Sequence, residues 1–251
     1  MFRSVTTDAI VIRRERMGEY HKSLLLLTSD LGLVTASAFG AFKMQSRLRL
    51  GSEPFTHSRA SLYHNPVKKT YKVTELDVKQ SFERLQEELP RMSAVSLWAE
   101  IVRKSFGAGD TSDALFSLFL GCLRRIECSD SPDIPYVTSQ FLWRFLSLAG
   151  YRPDTGACDR CGRRFRESES VSYAPAANGF FCGSCAGFST LKVQPGVLRY
   201  LDATAAMQLE PAIDVRLDAP SLAGLEELQF HAILAVLEAV PAPYRFVRAA
   251  T

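Results

Sequence analysis

The chain has 251 residues, 47% hydrophobic and 23% charged, with six cysteines and a formal net charge of +3. That length and balance suit a globular protein with room for two domains, and they exclude both a low-complexity chain and a small disulfide-stapled one. No segment approaches bilayer-spanning length, and the first apolar run, Leu24 to Leu27, is too short for a signal peptide and follows charges scattered from Arg3 to Lys22, so a cytoplasmic protein without a membrane partner is expected.

The charge is unevenly spread. Residues 1–80 hold thirteen Lys/Arg against seven Asp/Glu, a balance of +6, whereas residues 81–251 hold seventeen against twenty, a balance of −3. Polyanion contacts, if the chain makes them, belong to the first segment; a solvated basic face is the alternative that charge alone leaves open.

In chain order, the first eighty residues read as strands. Ala9 to Arg13 is a short β-branched run, His21 to Thr28 an apolar one, and Ser29-Asp30-Leu31-Gly32 supplies a turn before Leu33 to Phe39. Phe55 to Tyr63 and Thr70 to Val78 follow, the latter alternating at Tyr71 and Val73 and shifting phase at Leu76. Five short strands without a helix-length pattern among them suggest a closed barrel, either an OB-fold or an SH3-like barrel.

From Ser81 the period becomes helical. Pro90 and Ser93 open a helix through Leu97, Trp98, Ile101, Val102 and Phe106, stopped at Gly107. Thr111 or Ser112 is positioned to cap a second, through Leu115, Phe116, Phe119, Leu123 and Ile126, whose apolar circumference marks it as the central helix. Thr138 or Ser139 is positioned to cap a third, with Phe141, Leu142, Phe145 and Leu146 on one stripe and Gly150 at its end. Helical pattern resumes over Pro195 to Met207 and Ser221 to Val240. Trp98 and Trp143 fall on apolar helix faces and read as core.

Between the third and fourth helices lie Cys158-x-x-Cys161 and Cys182-x-x-Cys185, separated by twenty residues. Each pair forms a knuckle aiming two sulfurs at one ion, and together they make a closed tetrahedral site with no open position for water or substrate. One structural zinc ion is the expected occupant. A redox dithiol needs only one such pair, and a zinc deaminase needs a His-x-Glu that none of His21, His57, His64 or His231 provides. Cys122 reads as a small buried hydrophobe, and Cys128 carries no functional signal. A loop-rich segment between helices buries too little apolar surface to order itself, which is why an ion is useful there. Arg160, Arg163, Arg164 and Arg166 surround the cysteines and are suited to balancing a site of net charge −2.

Several stretches resemble the RecO family of bacterial recombination mediators. They are Thr7 to Arg13, Gly18-Glu19 before the Leu24–Leu27 run, Thr28 to Leu33, Gly40 through Lys43 to Ser46-Arg47, Leu148-Ala149-Gly150-Tyr151-Arg152-Pro153, Cys158 to Gly162, and Gly179 to Cys185. The resemblance implies an α+β protein: an amino-terminal five-stranded OB-fold barrel over residues 1–80, then a helical domain over 81–251 with the four-cysteine zinc module inserted at about 151–187. It implies no catalysis. It implies binding of single- and double-stranded DNA, annealing of complementary strands, and work with RecR to load RecA on strands coated by single-stranded DNA-binding protein, in the cytoplasm at the nucleoid.

Three basic groups are the candidate DNA contacts. Arg13, Arg14 and Arg16 end the first strand, where an OB barrel enters a groove-lining loop. Lys43, Arg47 and Arg49 sit in a loop with few acidic neighbours, suited to phosphate contacts without sequence preference. Lys68, Lys69 and Lys72 lie between strands with Tyr63 and Tyr71 nearby, suited to charge plus stacking. In the family the segment after the third strand is often richer in charge; here Phe42, Met44 and Gln45 take such places, so the alternatives are a weaker contact or one that uses stacking by Phe42. The family's carboxy-terminal helix, implicated in docking the single-stranded DNA-binding protein tail, is often basic, yet Gln229 to Val240 has no Lys or Arg and only Arg245 and Arg248 follow. These departures favour a second reading, a protein-interaction adaptor that reaches DNA mainly through a RecR-like partner.

Overall fold

A computed structural model describes residues 4–68, 70–106, 113–187, 190–237 and 241. They divide into two compact units, Met1–Glu127 and Cys128–Thr251. In the first, β1 (Ser4–Met17), β2 (His21–Thr28), β3 (Gly32–Ala38), β4 (His57–Asn65) and β5 (Thr70–Gln80) close a barrel in the order β1-β2-β3-β5-β4. The closing pair, β3 with β5, runs parallel, which a simple meander cannot produce and the Greek-key OB-fold requires. Inward positions supply Ala9, Val11, Leu24, Leu26, Val34, Ala36, Ala60, Leu62, Val73 and Leu76.

β1 is longer than the Ala9–Arg13 expected. Its far half, Arg13 to Met17, lacks apolar alternation and is held by antiparallel pairing with Leu25 to His21. The phase shift at Leu76 is a bulge: Ser61 faces Glu75 and Leu62 faces Val73, leaving Thr74 extra, whose hydroxyl donates to the Ser61 carbonyl at 2.9 Å. The shift keeps both Val73 and Leu76 inside. Gly51 lies against this point, and a Cβ there would sit 2.6 Å from Leu76 Cβ. Gly51→Ala should therefore cost about 1–3 kcal/mol by overpacking, read as a lowered unfolding midpoint; an unchanged midpoint would show that the bulge yields freely.

The same unit includes α1 (Arg84–Glu87), α2 (Leu89–Ser105) and α3 (Asp113–Cys128). Trp98 and Phe119 meet edge to face at 6.3 Å, and buried Arg91 joins α2 to α3 by donating to the Ile126 carbonyl at 2.8 Å. The expected stop at Gly107 and cap at Thr111 or Ser112 lie outside the described residues.

In the second unit a single 3-10 turn leads into α4 (Ile134–Leu148), followed by the strands β6 (Val171–Ala174), β7 (Gly179–Phe181) and β8 (Leu191–Val193), ordered β7-β6-β8. The helices α5 (Pro195–Ala205), α6 (Leu209–Asp214) and α7 (Ala219–Leu237) complete it. The cysteine segment is thus inserted between helices, as expected. The cap expected at Thr138 or Ser139 is corrected: α4 begins with Pro135 in its first turn, and both residues are buried in its middle. Ser139 accepts from Gln229 Nε2 at 3.0 Å through its carbonyl and hydroxyl oxygens, so it serves packing with α7. Nor is α3 the most enclosed helix; eleven α4 residues are buried against eight in α3. Gly150 ends α4 at φ +75, where Tyr151 N donates to Leu146 O at 2.8 Å and Gly150 N to Ser147 O at 3.2 Å. This Schellman cap accounts for the glycine of the Leu148–Pro153 stretch. No helix among the described residues is long and apolar enough to cross a membrane.

Candidate metal centre and nucleic-acid interface

The four sulfurs of Cys158, Cys161, Cys182 and Cys185 lie within 4.8 Å of one another. Cys158 and Cys161 flank a tight turn in which Gly162 N donates to Cys158 O at 2.8 Å, and Cys158 N donates to Arg163 O at 2.9 Å. The second knuckle follows β7, with Cys185 N and Ala186 N both donating to Cys182 O at 2.9 Å. Asp159 N to Phe180 O, 2.9 Å, ties one knuckle to the other. Cys158, Phe181 and Cys182 are buried together, with Phe165 and Ala174 packed around them.

The electrostatics suit a thiolate cluster. Burial pushes the Cys158 thiol up, but backbone N–H groups of Cys182, Cys161 and Arg160 outweigh it and bring the thiol to about 6. Burial also pushes Cys182 up, and the Arg163 guanidinium turns the balance downward. Cys185 is the counterpart, raised to about 12 by its hydrogen bond to Cys182 and by burial. Arg163 is held in place by Glu169, whose carboxyl it lowers to about 2. Four sulfurs with no imidazole or carboxylate form a soft tetrahedral donor set. Ideal zinc–sulfur bonds of ~2.3 Å put sulfurs ~3.8 Å apart, and Cys161 and Cys182 already stand at 4.0 Å. The residues fit a metal ion. Arg160 lies over the Phe181 ring at 5.9 Å, while Arg164 and Arg166 are exposed.

On the barrel, one member of each basic group reaches the same end. Arg16 lies 5.6 Å from the Phe42 ring, Lys43 lies 5.6 Å from Tyr20, and Lys72 lies 5.4 Å from Phe39. The parallel pairing of Ser37 with Lys72 delivers the third of these. Arg16 is braced by its own hairpin, donating to the Gly18 and Glu19 carbonyls at 3.1 and 3.3 Å. The other candidates are placed differently. Arg13 pairs with Glu15 at 3.0 Å and Arg14 with Glu53 at 3.3 Å. Arg47, Arg49 and Lys68 are exposed, and Lys69 lies outside the described residues. Sequence reasoning did not mark Arg103 of α2, which with Arg13, Glu15, Ser23, Leu25 and Thr35 lines a 190 Å³ depression. Only the packing of α2 on the barrel brings it there.

The loop carrying Lys43 is anchored by Lys22, which is 1% exposed and donates to Ser52 Oγ at 2.7 Å and Glu53 Oε1 at 2.9 Å. His21 and His57 have partners within the barrel unit. His21 Nδ1 accepts from Gly40 N at 2.9 Å, and His57 lies 3.3 Å from Asp8.

Comparison with known proteins agrees with this architecture. Residues 1–82 match the family model described as Recombination protein O N terminal, and residues 86–242 match Recombination protein O C terminal. The chain is similar to the DNA repair protein RecO of Roseiflexus sp. (strain RS-1), 30% identical over 246 residues, covering 96% of this chain and 84% of that one. It is similar also to the DNA repair protein RecO of Symbiobacterium thermophilum, 28% identical over 234 residues, covering 92% and 91%. An OB barrel and an inserted four-cysteine module, with both parts of the chain matched in order, establish that the chain belongs to the RecO family.

Proposed function

We propose that this chain is a DNA repair protein that binds and anneals DNA through its barrel, residues 1–80, and recruits partners through residues 81–251. The observation that carries the reading is the meeting of Arg16, Lys43 and Lys72 at one end of the barrel, from three separate segments. Annealing asks for neutralised phosphates and accessible bases, not an acid–base pair, so no catalytic residue is assigned. The cysteines hold one zinc ion as a structural staple. RecR, single-stranded DNA-binding protein and, through them, RecA are the partners that the family suggests.

The test is a salt titration with labelled single- and double-stranded oligonucleotides. Log affinity should fall linearly with log salt, and Arg16→Gln/Lys43→Gln/Lys72→Gln should reduce the single-strand slope by about 2, at about 0.7 per lost phosphate contact. Binding that is undetectable or indifferent to salt would end the DNA reading. The adaptor reading gains from the carboxylates that pair with Arg13 and Arg14. Annealing seen only when RecR is added would favour it.

A further inference from the structure

The same end of the barrel carries three aromatic rings that the fold does not use as core. Tyr20 is 45%, Phe39 49% and Phe42 37% exposed. Burying rings of this size is strongly favourable, so leaving three in water within one small region needs a reason. Their backbone is held firmly. Phe42 N donates to Tyr20 O at 3.1 Å, Lys43 N to Gly40 O at 3.0 Å, and Gly40 N to His21 Nδ1 at 2.9 Å, while Ala41 between them is fully buried. His21 also meets Phe39 edge-on at 5.1 Å.

The rings are set among exposed cations, Arg16 at Phe42, Lys43 at Tyr20 and Lys72 at Phe39, all within 5.6 Å of a ring centroid, while buried Lys22, 4.9 Å from the Phe42 ring, is committed to Ser52 and Glu53. Two carboxylates are close. Glu19 engages the Tyr20 hydroxyl at the ring's rim, and Glu53 is committed to Lys22 and Arg14. A ligand matching this surface has negative charge on a backbone and flat aromatic faces to lay on the rings. An unpaired nucleic-acid strand has both; a duplex presents the charge but hides its base faces in the stack.

We infer that Tyr20, Phe39 and Phe42 form a stacking platform for unpaired bases, which makes this end of the barrel prefer single strands over duplex. The inference rests on the DNA-binding reading above and adds the group that discriminates between strand forms. The cations serve both forms alike, whereas the rings serve one. Base stacking on a protein ring is worth ~1–3 kcal/mol, so each ring removed should weaken single-strand binding by about 5- to 160-fold.

The experiment compares wild type with Phe39→Ala/Phe42→Ala on a thymidine 20-mer and on a blunt hairpin duplex of equal charge, across a salt series. Phe39→Leu/Phe42→Leu, which keeps apolar bulk without rings, is run beside it in case the alanine pair disturbs the fold. The expected result is a loss of single-strand affinity of at least tenfold, duplex affinity within about twofold, and an unchanged salt slope. Equal losses on both probes, or intact single-strand binding, would overturn the platform while leaving DNA binding standing. Intact strand binding with loss of a protein partner would assign the rings to that partner and overturn it too. Wild-type protein that binds neither probe overturns the underlying DNA reading, and the platform with it.

Discussion

Cys161→Ser will remove stoichiometric zinc and unfold the segment around residues 157–187 while the barrel stays folded. Cys161 is the exposed member of the four cysteines, so the change deletes one sulfur with little loss of packing; Cys158 and Cys182 are buried and would confound the two. The module has only a small core of its own to order it. Beside the cluster of Cys158, Phe181 and Cys182 it buries Val171, Tyr173 and Phe180, and its strands β6, β7 and β8 have four, three and three residues. A structural zinc contributes ~10–16 kcal/mol at neutral pH, more than so small a core supplies. The barrel core contains none of the four cysteines. Metal analysis together with amide exchange reads the result: protection should vanish in the module and persist in β1 to β5. Retained zinc with unchanged unfolding would contradict a structural ion.

Glu53→Ala should destabilise the first unit by about 3–5 kcal/mol, because it strands the ammonium of Lys22 without a counter-charge. Lys22 keeps Ser52 Oγ as a neutral acceptor, which does not offset a buried charge. Lys22→Met removes the buried cation and leaves Glu53, a third exposed, to solvent and Arg14, so it should cost clearly less than Glu53→Ala. Denaturant unfolding of both variants tests the pair, and similar losses in the two would show that the methylene stem, not the charge, holds the loop. Arg14 also depends on Glu53, so Glu53→Ala frees that guanidinium as it loosens the loop.

How much was legible follows from which forces are local. The cysteine site was readable because knuckle spacing is a property of a few consecutive residues, and the barrel because inward alternation repeats along each strand. The extension of β1 from Arg13 to Met17 was not, since pairing with β2 decides it and the side chains carry no pattern. Thr138 and Ser139 misled as caps because a buried Ser or Thr in mid-helix looks the same in sequence as one at an end; only Gln229 on α7 shows what Ser139 is for. The three basic groups were visible as charge. That Arg16, Lys43 and Lys72 meet is set by the β3–β5 register and the hairpin after β1. Tyr20 and Phe39 went unmarked for the same reason, as aromatic residues near strand ends ordinarily read as core.

The parallel seam of the barrel is its thinnest line, and the proposed strand-binding end lies beside it. β3 and β5 are paired at Ala36–Tyr71 and Ser37–Lys72 alone, whereas β2 and β3 are paired along seven positions. Few pairings guard this line, so the barrel should open here first in local fluctuation, its amides exchanging with solvent ahead of their neighbours. Phe39 lies just beyond one side of the seam and Lys72 upon the other. A ligand that grips both sutures the barrel at its thinnest stitch, so occupancy of this end should register as slower exchange along β3 and β5.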